Sequence, residues 1–254
     1  MGFIVFLFGL AVGSFLNVLI DRLPKGKNVL TGRSICDHCN KTLRWFELIP
    51  LLSFVVQGGR CRRCHRLLSW QYPLVELVTA VGFVFLFQGQ AFEARQGLAL
   101  WGAGLVFSSL LVIFVADLKY QIIPDSMVVA GVLGVAMGLM RQMGPMDFMK
   151  EGRLGSALGA SAFFFLLWLI TRGKGMGLGD VKLAFLMGLL LGFPKIVVAS
   201  YLAFLTGAIV GVILILLGKK HLKERIAFGP FLVVGTVMAI VWGQQIIALW
   251  KELL

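Results

Sequence analysis

Charge is scarce in this sequence. Only 14% of its 254 residues are Asp, Glu, Lys or Arg, against about a quarter in an average soluble domain. That shortage excludes an ordinary water-facing surface. Acids are the rarer sign, 12 against 24 basic residues, which leaves a formal net charge of +12. The excess does not point to nucleic acid, because Lys and Arg sit in short loops between apolar runs and form no soluble basic face. Cysteine is also rare, four in all. No H-E-x-x-H or G-x-S-x-G stretch occurs, so the usual zinc-protease and serine-hydrolase signatures are excluded. There is no dinucleotide-type glycine fingerprint, no repeat of fixed period and no low-complexity tract.

What the chain has in quantity is apolar: 59% hydrophobic residues and a mean hydropathy of +0.91. Its runs approach the ~20 residues that a helix needs to cross a bilayer core. They predict an all-α integral membrane protein of about eight spans, drawn at 3–20, 73–89, 98–116, 126–143, 154–171, 181–192, 196–217 and 229–250. The run Phe3–Ile20 reads as a first spanning helix and not as a signal peptide, since its positive charges follow it. The sixth run is short, and Phe193-Pro194-Lys195 after it implies a tight turn.

Loop 21–72 carries ten Lys/Arg against three Asp/Glu, which places it in the cytoplasm. Alternation then puts links 117–125, 172–180 and 218–228 on the same side. Arg172 and Lys174 mark one of them, and Lys219, Lys220, Lys223 and Arg225 another. Lys150 and Arg153, on the opposite side, depart from the rule. The chain divides into a first helix (1–20), a polar loop domain (21–72) and a polytopic membrane domain (73–254).

All four cysteines fall in the polar loop, as Cys36-Asp37-His38-Cys39 and Cys61-Arg62-Arg63-Cys64, with 21 residues between the pairs. Two such pairs presented from turns can surround one zinc ion with four thiolates. Disulfides suit a reducing cytoplasm poorly. A loop of this size with little core gains its order from such a staple. Four thiolates leave His38 and His65 no required place at the metal.

Acids at spanning segments are costly and call for a reason. Asp117 ends the third span, and Pro124-Asp125 opens the fourth. Pro followed by an acid suits a helix start, so Asp125 has a capping role available. The run Gly175-Met176-Gly177-Leu178-Gly179-Asp180 precedes the sixth span. Its glycines allow close backbone approach or positive φ, and Asp180 taken alone could be a simple helix cap. The charge-derived topology, however, puts Asp117 and Asp180 at one membrane face. Two carboxylates at a partly dry site share a proton and can activate a water between them.

Together these stretches resemble the type IV prepilin peptidases, aspartic proteases of bacterial membranes. The resemblance runs through Gly13-Ser14-Phe15-Leu16-Asn17-Val18, Arg22-Leu23-Pro24, both cysteine pairs, Ile49-Pro50-Leu51, Gly58-Gly59-Arg60-Cys61 and Tyr72-Pro73-Leu74-Val75-Glu76. It ends with Asp117 to Asp125 and the G-x-G-D motif Gly177–Asp180. It implies that Asp117 and Asp180 are the catalytic pair, with Gly177, Gly179, Pro124 and Asp125 supporting their loops. It implies prepilin or pseudopilin substrates with basic leaders, a bilayer of the bacterial inner membrane, and an active site facing the cytoplasm. It also implies N-methylation with S-adenosylmethionine, the loop around Gly59 being the favoured location. A basic leader must approach a basic face, and Asp21, Glu47, Glu76 and Asp125 are the acids that would offset this. Two other classes stand beside that reading: a transporter, whose acids usually lie mid-membrane at broken helices, and a zinc-stapled scaffold without catalysis.

Overall fold

The computed structural model describes residues 2–29, 31–36, 38–87, 94–142, 152–173, 175–218 and 227–253. Lys150, Lys174, Lys219, Lys220, Lys223 and Arg225, used above to argue topology, lie outside them.

Apolar runs without internal proline wind into helices, since in lipid each backbone N–H and C=O must be satisfied within its own segment. The first is α1 (Gly2–Arg22). The polar loop follows, with a short α2 (Leu52–Val56) inside it. Then come α3 (Gln71–Phe87), α4 (Ala94–Tyr120), α5 (Asp125–Gln142), α6 (Arg153–Ile170), α7 (Leu178–Leu191), α8 (Lys195–Leu216) and α9 (Gly229–Leu253). Proline marks four of these starts, at Pro73, Pro124, Pro194 and Pro230, where its missing N–H costs nothing. The Phe193–Lys195 link is a tight turn, as expected: Gly192 at φ 66° ends α7 and Pro194 caps α8.

Each of the eight expected segments contains a helix, but eight membrane spans are not confirmed. Among the described residues, five helices are long and apolar enough to cross a membrane: α1, α4, α6, α8 and α9. The stretches in α3 and α5 are shorter. With 14 residues, α7 is only about 21 Å long against a ~30 Å hydrocarbon core. Its position differs as well. Leu183, Ala184, Leu186 and Met187 are all fully buried, so α7 lies inside the helical assembly with other helices around it.

Consecutive long helices pack as hairpins, α1 with α3, α4 with α5, α6 with α7 and α8 with α9. Glycine makes each crossing close. A Cβ at Gly13 would lie 2.7 Å from the Glu76 Cα, and one at Gly188 2.4 Å from the Ala157 Cα. Gly102 against Gly134 and Gly235 against Ala199 repeat the device in the other two hairpins. Small residues matter here because apolar side chains gain little by leaving lipid for protein, and close packing supplies the attraction. The hairpins meet around α4, α5, α7 and α9, which share one core.

The polar loop is tied to the same end of the molecule as the close of α4. Asp21, at the foot of α1, accepts hydrogen bonds from Lys119 Nζ (2.7 Å), Tyr120 Oη (2.9 Å) and Tyr72 Oη (3.0 Å). The neighbouring Arg22 guanidinium donates to the carbonyl oxygens of Asn28, Thr31, Gly32 and Arg33 at 3.0–3.2 Å, which folds the loop's entry around one side chain.

Candidate active site

Asp117 occupies the last turn of α4. The chain then reverses: the Gln121 N–H, at φ 54°, donates to the Asp117 carbonyl oxygen. Pro124 opens α5 by accepting from the Met127 and Val128 amides. Asp180 lies in the first turn of α7, and its Oδ2 accepts the Gly177 N–H at 2.9 Å. The cap anticipated for a lone Asp180 is therefore present, but the residue does more than cap. Asp117 Oδ2 accepts the N–H of Gly229, the first residue of α9, also at 2.9 Å. Each carboxylate is thus held by an amide at a helix N-terminus, where the partial positive charge favours an anion.

Asp117 and Asp180 are only 5% and 6% exposed. Both line one open cavity of about 360 Å³, together with Ile123, Asp125, Lys182 and Phe228. They lie within Coulombic reach of each other. Among the described residues each hydrogen-bonds through Oδ2, which leaves both Oδ1 atoms for water or substrate. A pair of this kind can hold one proton between two oxygens and polarise a water.

The supporting residues differ in what they do. Neither Gly177 nor Gly179 has a positive φ, so of the two uses the glycines allow, close approach is the one that remains. Close approach does hold at Gly179, where a Cβ would sit 3.0 Å from the Ile123 Cβ. Gly177 is extended and serves through its N–H. Asp125 is more than a cap: Lys182 Nζ of α7 reaches both its oxygens at 2.7 and 2.8 Å, joining two helix starts at the cavity. Of the other acids expected to face a basic substrate, Asp21 is occupied by its three donors. Glu47 Oε2 accepts the Arg44 N–H at 2.7 Å, and buried Glu76 accepts the Leu51 N–H at 2.8 Å. Only Asp125 lies on the cavity.

Comparison with known proteins bears on this arrangement. The family model described as the bacterial peptidase A24 N-terminal domain matches residues 7–89. The model of the type IV leader peptidase family matches residues 104–212. The prepilin leader peptidase/N-methyltransferase of Bacillus subtilis is 33% identical over 250 residues, covering 98% of both chains. The chain belongs to the type IV leader peptidase family. Proteins of the same name from Aeromonas hydrophila and Pseudomonas aeruginosa are each 33% identical over 270 residues. These alignments cover 96% and 94% of this chain, and 91% and 90% of those proteins. No solved structure matches it.

The polar loop of this leader peptidase family member brings its four cysteines together. The two cysteine pairs form knuckles of the same design. The Cys36 N–H donates to the Lys41 carbonyl and the Asn40 N–H to that of Cys36; Cys61, Arg66 and His65 repeat the pattern. Asn40 (φ 53°) and His65 (φ 54°) make the same left-handed turn. His38 and His65 are exposed and stand outside the cluster. The four sulfurs lie within 4.8 Å of one another, with Cys36 Sγ and Cys64 Sγ 3.9 Å apart. That separation is far beyond a disulfide bond. It is close to the ~3.8 Å edge of a tetrahedron of sulfurs about 2.3 Å from a central ion. The cysteines are positioned to bind a metal ion. Amides of Cys64 and Arg63 pull the Cys61 thiol down to about 7, while burial pushes Cys36 up to about 11.

Gly59 has a structural role of its own. It is buried at φ 66°, where a Cβ would meet the Phe54 ring at 3.1 Å, and its carbonyl accepts the Leu68 N–H. Gly229 is the site residue that sequence reasoning overlooks. Its signal is Gly229-Pro230 at the head of the last apolar run, and the run alone does not say what its amide faces.

Proposed function

We propose that this chain cleaves the leader peptide of type IV prepilins or secretion pseudopilins at the Asp117–Asp180 pair, and methylates the N-terminal residue so exposed. The observation that carries the hydrolytic step is the pair itself: two nearly buried carboxylates on one cavity, each held by a helix N-terminal amide. The names of relatives that match almost the whole chain supply the substrate and the methylation.

In the cleavage step one aspartate takes a proton from water, whose oxygen attacks the scissile carbonyl. The partner, holding a proton, gives it to the carbonyl oxygen; the first aspartate then passes the proton taken from water to the departing amine as the diol collapses and returns a hydroxyl proton to the partner. Gly177 and Gly229 fix the Oδ2 atoms and so hold both Oδ1 atoms in place. Gly179, Pro124 and Asp125 shape the two turns from which the pair projects.

Cys36, Cys39, Cys61 and Cys64 hold Zn²⁺ in a structural role, since four protein ligands leave no position for water. S-adenosylmethionine is the methyl donor that the second activity calls for, and Gly59 is the candidate residue beside it. The chain belongs in the bacterial inner membrane, with eight passes and the cavity facing the cytoplasm. Two facts support that orientation: the basic excess of loop 21–72, and the Asp21 junction that brings the loop to the Asp117 end of α4. A transport role is disfavoured because the acids sit at helix ends and not at broken mid-membrane helices.

The deciding experiment compares Asp117→Asn and Asp180→Asn with the parent chain, purified in detergent, on a prepilin substrate. Both variants lose cleavage while staying folded and metal-loaded, and methylation of pre-cleaved substrate persists. Cleavage at the parent's rate by either variant would remove the carboxylate-pair mechanism.

A further inference from the structure

The polar loop exposes apolar side chains that a water-facing domain would bury. Trp45, Val55, Val56, Leu67 and Trp70 are 69–78% exposed. They are not scattered singly. The turn at Trp45–Leu48 packs on α2, and Phe54 of α2 lies with its ring 5.1 Å from that of Trp70. Trp45 meets Phe46 edge-on at 5.8 Å, and the guanidinium of Arg62 lies 5.4 Å above the Phe46 ring. Exposed Arg44, Arg60, Arg63 and Arg66 belong to the same stretch.

We infer that this aromatic and arginine-rich surface, centred on α2, rests on the anionic headgroups of the adjoining leaflet. Position favours the leaflet over any other occupant. Trp70 is the residue immediately before α3, so the patch begins where a hydrophobic helix begins. Both ends of the loop are anchored in apolar helices, α1 and α3, which keeps the loop beside the membrane surface at all times. Composition agrees with position. Tryptophan gathers at the membrane interface, arginine buries its stem while its head stays at the phosphates, and basic residues are drawn to anionic lipid. An acidic protein could satisfy the arginines equally well, but nothing in the chain holds such a partner at the start of α3. Docking would hold the loop against the bilayer beside the Asp21 junction, and therefore near the mouth of the carboxylate cavity. The inference needs the chain to be in a membrane and is independent of the peptidase chemistry.

The test places the full, metal-loaded chain in nanodiscs of phosphatidylcholine alone or mixed with phosphatidylglycerol. Trp70, Trp101, Trp168, Trp242 and Trp250 are replaced by Phe, so that Trp45 reports alone. In mixed discs, lipid brominated near the headgroup quenches Trp45 and aqueous iodide does not reach it. Replacing Arg60, Arg62, Arg63 and Arg66 by Gln weakens docking by roughly fivefold per arginine, and the bromine quenching is lost. Full iodide access with no bromine quenching in both lipids overturns the inference. So does protection that appears only when a substrate protein is added, which would make the surface a protein site. If the single-tryptophan chain fails to fold, hydrogen exchange on the unsubstituted chain decides. Slower exchange of the Trp45–Val56 amides in mixed discs than in phosphatidylcholine supports docking, and equal exchange refutes it.

Discussion

The hydrogen that Gly229 carries in place of a Cβ decides where Asp117 can sit. A Cβ there would lie 2.7 Å from Asp117 Oδ2 and 3.1 Å from its Cγ, on the side from which the Gly229 amide donates. Gly229→Ala must therefore push the carboxylate off its hydrogen bond or tilt the start of α9. Misplacing a reacting group by about 1 Å costs roughly 10²-fold. The expected outcome is a fall in kcat of that order with KM little changed, measured on a prepilin in detergent. Gly138→Ala, where a Cβ meets nothing within 4 Å, keeps the parent's rate. A Gly229→Ala enzyme of parental kcat would show that this amide does not position the pair. The contrast also explains why one part of the site was legible in the sequence and another was not. Asp117 and Asp180 stand out because acids beside apolar runs need a reason to exist. Gly229 does not, since glycine before proline is an ordinary helix start and its partner lies 112 residues away.

At the scale of helices, the same missing atom sets the packing of each hairpin. Gly188 on α7 is the strictest case, because a Cβ would meet backbone atoms of Ala157 at 2.4 and 2.7 Å. Backbone cannot rotate aside, so Gly188→Val forces α6 and α7 apart. Overpacking of this kind costs about 1–3 kcal/mol. Thermal unfolding in detergent should show a lowered Tm. Gly155→Ala, on the exposed side of α6 with open space around it, should leave Tm equal or raised through helix propensity. An unchanged Tm for Gly188→Val would mean that this crossing is looser than its geometry. Hydropathy located every one of these helices but could not rank them. A helix with a largely buried face, such as α7, and a lipid-facing span look alike as apolar runs, and only packing separates the 14-residue α7 from the five long spans. The cysteine spacing, by contrast, carried its geometry openly, since two C-x-x-C pairs leave few ways to be arranged.

Over the whole molecule, two units of different construction meet at the feet of α1 and α3. The membrane helices hold together by close crossings, whereas the loop has two small knuckles, one short helix and little core. Arg22 at the end of α1 binds four loop carbonyls and Glu76 of α3 accepts the Leu51 amide, while Asp21 ties α1 to Tyr72 of α3 and to Lys119 and Tyr120 at the end of α4, two and three residues beyond Asp117. This construction predicts separable responses to metal loss. A structural zinc site contributes about 10–16 kcal/mol of folding free energy, more than a loop of this size can replace. Chelation, or Cys36→Ser with Cys61→Ser, should therefore unfold the loop while the helices persist. Limited proteolysis should then cut between residues 31 and 70, with far-ultraviolet circular dichroism nearly unchanged. Turnover of bound substrate should survive, because Asp117, Asp180 and their two amide donors all belong to the helical unit. Any loss should appear in KM, through a docking surface no longer held in place. A metal-free chain whose loop resists protease as before, yet cleaves nothing, would instead place the ion in the reaction itself.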